Sequence, residues 1–553
     1  MPVRSASVLA VLLLLLSSCT SEQRKSRTKA EKAQAITEVF ETKVEYTVHH
    51  LDSNAVIGFI AEHPASLEDS AAITDFYKRR AYQYAWFVND SLSAAARNLL
   101  GLMSSTDSIL GTGPEDPHRV HELVTGLMIG DTMPLTPERM RNAELALTAQ
   151  YFLFARSHYG GFIRKDVRDL DWFIPRKKKN YDQLLDSLAN GRMDLSPIEP
   201  VHPQYGALKA QLKKYYQLDT LAAWDRLSLG DRRKLEPGDT ASFVPELRQR
   251  LMLMGDLVSE GDTVRMASMV YDSTLVHAVE RFQTRHGLHP DGIIGNGVMR
   301  MLNITPGERI RTLLVNMERL RWVPEQYPPD LLLVNIPEYR LHIFEQGKEA
   351  WSMDVVVGAD ATRTVIFSDT LSRIVFSPYW GVPTSIVQNE VLPAMKKDPN
   401  YLSKKGMERI GGSDANPLIR QKPGAGNALG RVKFLFPNSY SIYFHDTPSK
   451  GAFARESRAF SHGCIRLSKP QDLADYLLRN DSTWTPEKIK KAMFGEKEIT
   501  VNLPKAERRP VMIGYFTAWV DNGQLNFRDD VYGNDAKLAA ELFVTGEEPV
   551  AVR

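Results

Sequence analysis

The hydrophobic period changes once along this chain, close to residue 330, and one layer of secondary structure cannot accommodate both sides of that change. Before it, stretches such as NAELALTAQYFLFARSHYGG (142–161) repeat apolar residues at three and four spacing and end on Gly-Gly, the pattern of helices. After it, LLLVNIPEYRLHIFEQGKEAWSMDVVVG (331–358) and TVIFSDTLSRIVFSPYWGVP (364–383) are short β-rich runs broken by turn residues. At 553 residues the chain is also too long for a single core. The expected fold class is therefore multidomain α+β. A mostly helical scaffold over 20–240 is followed by a small three-helix module over 241–305 and a linker over 306–330. A mostly-β domain then spans 331–500, with a helical, then Gly-rich capping insertion at 384–430, and a β segment over 501–553 ends the chain. Within that last segment GYFTAWVDNGQLNFRDD predicts a hairpin around Asn522-Gly523. Clustered aromatics such as Tyr77, Tyr82, Tyr84, Trp86 and Phe87 read as packing rather than as a ligand box.

Arg4 precedes the apolar run VLAVLLLLL, too short for a membrane span and matched to the core of an export signal. The run ends in LSSC, which resembles the bacterial lipobox, so residues 1–19 are expected to be a signal peptide and Cys19 a lipidated N-terminus. A plain secretory signal is the other reading. The expected location is periplasmic, lipid-anchored to a membrane. Thr20, where an Asp would favour inner-membrane retention, points to the outer one. A formal net charge of +2 gives no electrostatic reason for a nucleic-acid partner, and the basic runs at 24–32 and 176–179 read as solvated surface. With Cys19 lipidated, Cys464 is the chain's remaining thiol, in a compartment where paired thiols oxidise.

Cys464 lies in FHDTPSKGAFARESRAFSHGCIRLSKP (444–470), a polar, cationic, Gly-containing setting that suits a reactive thiol better than a buried one. Few free thiols ionise at neutral pH, so a neighbouring imidazole is needed to take the proton and later return it to a leaving amine. His445 and His462 are the candidates: His462 stands two residues before Cys464, on the same side of an extended backbone, whereas the fold must deliver His445. The Gly463 and Cys464 amides are placed to cradle an oxyanion. Arg466, two residues beyond Cys464, either holds a substrate carboxylate or pairs with a structural Asp. His445, His462 and Cys464 with Asp446 also form a candidate zinc set, but His-x-Cys is an uncommon zinc spacing and neither His-Glu-x-x-His nor Cys-x-x-Cys occurs. Thiol chemistry without metal or cofactor is the expectation.

Two resemblances sharpen this reading. VPELRQRLMLMGDL and LVHAVERFQTRHGLHPDGIIGNGVMRMLNI resemble the three-helix peptidoglycan-binding module of cell-wall enzymes, through Leu247, Leu251, Gly255, Ala278, Phe282, Gln283, Gly287, Leu288, Asp291, Gly292, Gly295 and Leu302. His286 and His289 in that module read as surface residues. SHGCIRL with His445 upstream resembles the signature of the L,D-transpeptidase family, and IYFHDTP…RAFSHGCIRLSKPQDLADYLL its large periplasmic branch. The resemblance implies Cys464 as nucleophile, His445 as general base and acid, and the Asp446 backbone carbonyl as orienter of His445. It gives His462 a supporting role and Gly463 an oxyanion-hole backbone. Arg466, Tyr443 and Trp380 are the expected substrate-binding side chains. The implied reaction releases the terminal D-Ala of a tetrapeptide stem, forms a thioester, and passes the acyl group to another stem's amine, giving a 3–3 crosslink open to carbapenem acylation. The expected partners are peptidoglycan stem peptides and, through the lipid, a membrane. An L,D-carboxypeptidase or crosslink hydrolase using the same site is the alternative, and a non-catalytic wall-binding scaffold the third reading.

Overall fold

The computed structural model describes residues 47–88, 90–110, 136–163, 165–176, 179–192, 199–221, 223–258 and 263–543. Residues 1–19, expected as a signal peptide ending at Cys19, lie outside them. No helix among the described residues is long and apolar enough to cross a membrane. The chain forms two compact bodies, one from residues up to 160 with 178–200, the other from 161–177 with 201 onward.

The first body is helical, built from Ser53–Glu62, Ser70–Arg79, Ala94–Leu110, Pro137–Gly160 and Asp182–Ala189 around a small hairpin of β1 (Phe87–Val88) and β2 (Ser91–Leu92). Its long helix 137–160 buries residues on every side, including the carboxylate of Glu144. Glu144 accepts hydrogen bonds from the amides of Ala85 (2.7 Å) and Trp86 (2.9 Å) and from the Tyr77 hydroxyl (3.0 Å). It thereby ties the irregular segment ahead of β1 to two helices. The cost is desolvation, which raises the carboxyl pKa to about 7.

In the second body, helices Val244–Leu253, Ser273–Arg285 and Asn296–Leu302 enclose a core of Leu247, Leu251, Leu275, Ala278, Phe282 and Leu302. The Gln283 side chain fastens the following turn, bonding Asp291 Oδ1 (2.8 Å), the Ile293 carbonyl (3.1 Å) and the Gly292 amide (2.9 Å). His286, expected at the surface, is buried instead. Its ring packs on Phe282 and Phe527 and its Nδ1 donates to the Phe282 carbonyl, because the hairpin near the C-terminus covers the module at this point.

The stretch 306–330, expected as a linker, is a helix over Pro306–Trp322. Thr305 and Glu308 form a reciprocal capping box with Pro306 in the first turn, a strong start signal. Its polar residues are buried in pairs. Glu318 accepts from the amides of Phe162 and Ile163 (both 3.2 Å), from Trp322 Nε1 (3.1 Å) and from Arg321 (2.8 Å), and Asn316 exchanges two hydrogen bonds with Thr517.

The remaining strands are β3 (Leu332–Asn335), β4 (Arg340–Glu345), β5 (Lys348–Gly358), β6 (Ser368–Leu371), β7 (Arg373–Phe376), β8 (Trp380–Gly381), β9 (Met407–Gly412), β10 (Pro417–Gln421), β11 (Val432–Leu435), β12 (Phe444–His445), β13 (Ala459–Ser461), β14 (Ile465–Leu467), β15 (Ile499–Asn502), β16 (Arg509–Gly514), β17 (Ala518–Asp521) and β18 (Gln524–Phe527). The main sheet runs β15-β7-β11-β12-β14-β5-β4-β3-β16-β6, with β13 beside β5. One residue, Ser372, separates β6 from β7, yet these strands stand at or next to opposite ends of that order. The sheet must therefore curl until its ends meet. β12 with β14, β3 with β16, and β13 with β5 are the parallel pairs. The insertion's β9 and β10 join β8, just ahead of it, in a separate three-stranded sheet β8-β10-β9, and it has a small core of Ile386, Val387, Val391 and Ile419. β17 and β18 form the expected hairpin, Asn522 and Gly523 both taking positive φ (48° and 77°) as a two-residue turn requires.

The Glu144 clamp sets a pH dependence. Its folded pKa of about 7 lies above the unfolded value near 4.3, so between the two the folded state holds a proton that the unfolded chain releases. Stability of the first body is thus highest below about pH 4.3, falls as pH rises through this window, by on the order of 3 kcal/mol, and levels off above 7. In thermal melts the first body should unfold at lower temperature at pH 8 than at pH 5, and Glu144→Gln should remove most of that difference. A melt equally steady across this range in the unchanged chain would refute the assignment.

Candidate active site

Cys464 and His445 are brought onto neighbouring strands because β12 and β14 run side by side in parallel, with Phe444 opposite Ile465 and His445 opposite Arg466. Adjacent strands lie about 4.8 Å apart and successive side chains alternate faces. Phe444, Ile465 and Leu467 are fully buried on the core face. That leaves Tyr443, His445, Cys464 and Arg466 on the other.

His445 is held in one orientation. Its Nδ1 lies 2.5 Å from the carbonyl oxygen of Asp446, a contact that requires an N–H, so Nε2 carries the free lone pair. Burial, reinforced by the positive charge of Arg466, lowers the imidazole pKa to about 4. The Asp446 carboxylate turns away from the ring, accepting from the amides of Arg431 (2.8 Å) and Thr447 (2.7 Å) and from Lys450 Nζ (2.6 Å). Gly430, at φ +63°, lets the chain pass that carboxylate where any Cβ would collide with it.

The half-buried thiol of Cys464 donates to the Ser441 carbonyl at 3.5 Å. Burial pushes its pKa up, against the lowering effects of Tyr443 and of the Arg466 charge. Tyr443 is itself raised, by burial first and by the neighbouring sulfur second. Arg466 is half-buried, no carboxylate pairs with it among the described residues, and its Nε is buried without a partner. Of the two readings of this arginine, the structural Asp is not in place.

Gly463 differs from expectation. Its N–H donates to Ser461 Oγ (3.2 Å) rather than into the space beside the sulfur, because Ser461, buried, also donates to the Cys464 carbonyl (2.7 Å) and folds the loop around itself. What Gly463 contributes is its backbone conformation, φ +104°, which a side chain would strain. The Cys464 amide is the remaining oxyanion donor of the expected pair. Thr364 completes the loop's support, donating to the Gly463 carbonyl (2.8 Å) and accepting from the Gly358 amide (2.9 Å). Ser461 sits inside the quoted motif and was open to detection as a turn-forming hydroxyl, whereas nothing in the sequence points to Thr364, a hundred residues upstream.

His462 is exposed, with Nε2 3.0 Å from Glu390 Oε1 in the π-helical turn Val387–Val391 of the insertion. Trp380, expected to touch substrate, is half-buried on β8 and packs against the insertion's own core. No group of three or more His, Cys, Asp or Glu converges for a metal among the described residues.

Comparison with known proteins matches residues 71–212 to a scaffold domain, 240–302 to a peptidoglycan binding domain and 329–493 to the L,D-transpeptidase catalytic domain. A curated protein of Haemophilus influenzae, named as an L,D-transpeptidase, is 34% identical over 242 residues, 41% of this chain and 48% of its own length. The chain thus spans about half the length of this curated relative. Solved structures of an L,D-transpeptidase from Mycobacterium smegmatis (13% identity, 34% of this chain and 58% of that one, TM-score 0.19) and of another from Stackebrandtia nassauensis (14%, 51% and 95%, 0.21) are also similar, too slightly to bear on the argument. On the sequence matches, this chain carries a peptidoglycan binding domain directly ahead of an L,D-transpeptidase catalytic domain.

Proposed function

We propose that the chain is a periplasmic, lipid-anchored enzyme that forms 3–3 peptidoglycan crosslinks through a thioester on Cys464. The observation that carries this reading is the shared face of the β12–β14 pair, on which His445, its Nδ1 fixed by the Asp446 carbonyl, stands beside Cys464.

The pKa directions describe how such a site would work. Burial disfavours both ions, so the resting pair is a neutral thiol and a neutral imidazole. As Sγ attacks the carbonyl carbon of the stem's third residue, Nε2 of His445 takes the thiol proton. The Cys464 amide faces the developing oxyanion. Collapse breaks the C–N bond to D-Ala, and the imidazolium returns its proton to the departing amine. The side-chain amine of a second stem, giving a proton to His445, then attacks the thioester, and collapse breaks the C–S bond, leaving the crosslink amide and returning that proton to the Cys464 sulfur. Arg466, cationic and without a carboxylate partner among the described residues, is placed to hold a stem carboxylate.

Three outcomes are expected. Intact-mass measurement after incubation with a muropeptide tetrapeptide should show an adduct lacking D-Ala, absent in Cys464→Ala and reduced at least a hundredfold in rate in His445→Ala. Full crosslinking by Cys464→Ala would sink the proposal, and product analysis showing only shortened stems would replace the amine acceptor by water. The rate of adduct formation should keep its acidic limb near pH 4, where the buried His445 begins to protonate and can no longer accept the thiol proton. A limb near 6.5 would contradict a buried, neutral base. Finally, alkylation of Cys464 by iodoacetamide should titrate above the free-thiol value of about 8.5, and higher still in Arg466→Ala, which removes a stabilising charge. A midpoint below the free-thiol value would argue for a preformed thiolate.

A further inference from the structure

A second cleft opens in the same body away from the Cys464 face, with a volume of about 1680 Å³. Several parts of the chain wall it, residues 202–204 and 325–328 among them. The turn after helix 273–285 comes from the peptidoglycan binding domain, β4, β5 and the loop 453–459 from the catalytic domain, and the β17–β18 hairpin from the C-terminal segment. Neither Cys464 nor His445 lines it.

Its inner wall presents flat surfaces and both signs of charge. The Arg458 guanidinium lies over the ring of Tyr339 (5.4 Å), and that of Arg528 over the indole of Trp519 (4.8 Å). Arg458 and Arg340 share a single carboxylate, Asp354, at 3.3 and 3.8 Å. Glu338, 4.0 Å from Arg528, is already bonded to His342 at 2.9 Å. His342 also pairs with Glu349 at 3.2 Å, so carboxylates and cations alternate along this wall, and Arg458 Nε is buried with no hydrogen-bond partner. Acidic residues, among them Glu325, Glu456 and Asp521, line other parts of the cleft. Stacking platforms with donors and acceptors of both signs suit a polar chain of sugars bearing carboxylates and amines, and suit an apolar ligand or a simple polyanion poorly.

Two observations mark the wall as built for contact. Tyr339 sits in the left-handed region (φ 57°, ψ 41°), where glycine or asparagine is usual and a tyrosine is strained. Its carbonyl is pinned there by Val355 N (2.9 Å) and Arg458 Nη2 (3.2 Å), which keeps the ring beneath the guanidinium. Arg528 meanwhile joins the walls rigidly. Its Nη1 donates to the Arg285 carbonyl (3.0 Å), and the Gly287 backbone passes so close that a Cβ there would lie 2.6 Å from the arginine side chain.

We infer that this cleft is a second, non-catalytic site for a peptidoglycan strand, whose sugar faces stack on Trp519 and Tyr339 and whose carboxylates meet Arg458 and Arg340. The inference rests on the proposed substrate class and adds where the strand is gripped: jointly by the binding domain, the catalytic domain and the C-terminal hairpin. The test is titration of the full chain with glycan strands stripped of stem peptides, which expose lactyl carboxylates, and with intact strands, followed by tryptophan fluorescence and calorimetry. Trp519→Ala and Tyr339→Asn should each weaken strand binding at least tenfold. Tyr339→Asn is the decisive variant, because asparagine tolerates the left-handed backbone. Its melting temperature should hold or rise while binding falls, which a purely structural tyrosine would not produce. Binding of both strand types unchanged in both variants, or no binding by the unsubstituted chain, would overturn the inference. Acylation of Cys464 by a free tetrapeptide in the unsubstituted chain reports on the proposed function alone, so the two readings fail separately.

Discussion

The candidate site depends on a parallel pairing only a few residues long, β12 against β14. Because side chains alternate along a strand, a slip of one residue would turn His445 or Cys464 into the core and bring Phe444 or Ile465 out. So short a pairing does not hold its own register. It is held from outside, by β11 on one flank, by β5 on the other, and by the Asp446 carboxylate, which fastens the residue after His445 to the Arg431 amide. The fully buried Phe444 and Ile465 make the alternative register costly, each worth roughly 2 kcal/mol or more of apolar burial. The reactive face is thus specified chiefly by what lies on the opposite one.

The same burial sets the electrostatics. Moving His445 out of water lowers its pKa and moving Cys464 partly out of water raises the thiol's, so the two shifts oppose formation of an ion pair before substrate arrives. Arg466 acts on both, lowering each, and so stabilises a thiolate while discouraging an imidazolium. In the proposed reaction a site of this kind would keep its thiol protonated at rest and generate the nucleophile only as attack proceeds.

What was legible in the sequence was local. His445 and Cys464 stand out because their residue types and their setting among glycine, serine and arginine have few structural explanations, and the hairpin at 522–523 is encoded by its turn residues. Helix 306–322 is not legible as a helix because its polar residues do not face water. Glu318, Arg319 and Arg321 are buried in pairs, so no amphipathic stripe marks it, and the prolines at 324, 328 and 329 suggested a linker in place of the Thr305–Glu308 capping box. His286 was misplaced for a related reason: the hairpin that buries it lies more than 230 residues later. Thr364 and Glu390 reach the nucleophile loop only through tertiary contacts, and no local pattern announces such partners.

The boundaries of the catalytic domain follow the same logic. The family match ends at residue 493, yet β16 lies between β3 and β6, so the sheet is complete only when residues 509–514 take their place. The segment beyond it reaches the nucleophile loop's support directly. The Tyr532 hydroxyl donates to the Gly358 carbonyl (2.6 Å) and accepts from the Thr364 amide (3.3 Å), while Thr364 in turn bonds the Gly463 carbonyl. Helix 306–322 is bound to this same segment through Asn316 and Thr517 and through Arg319 and Asp535. Chain that precedes the matched region and chain that follows it therefore clasp each other behind the sheet. The rigidity of the Cys464 loop is a property of the whole second body, and the matched stretch alone does not contain it.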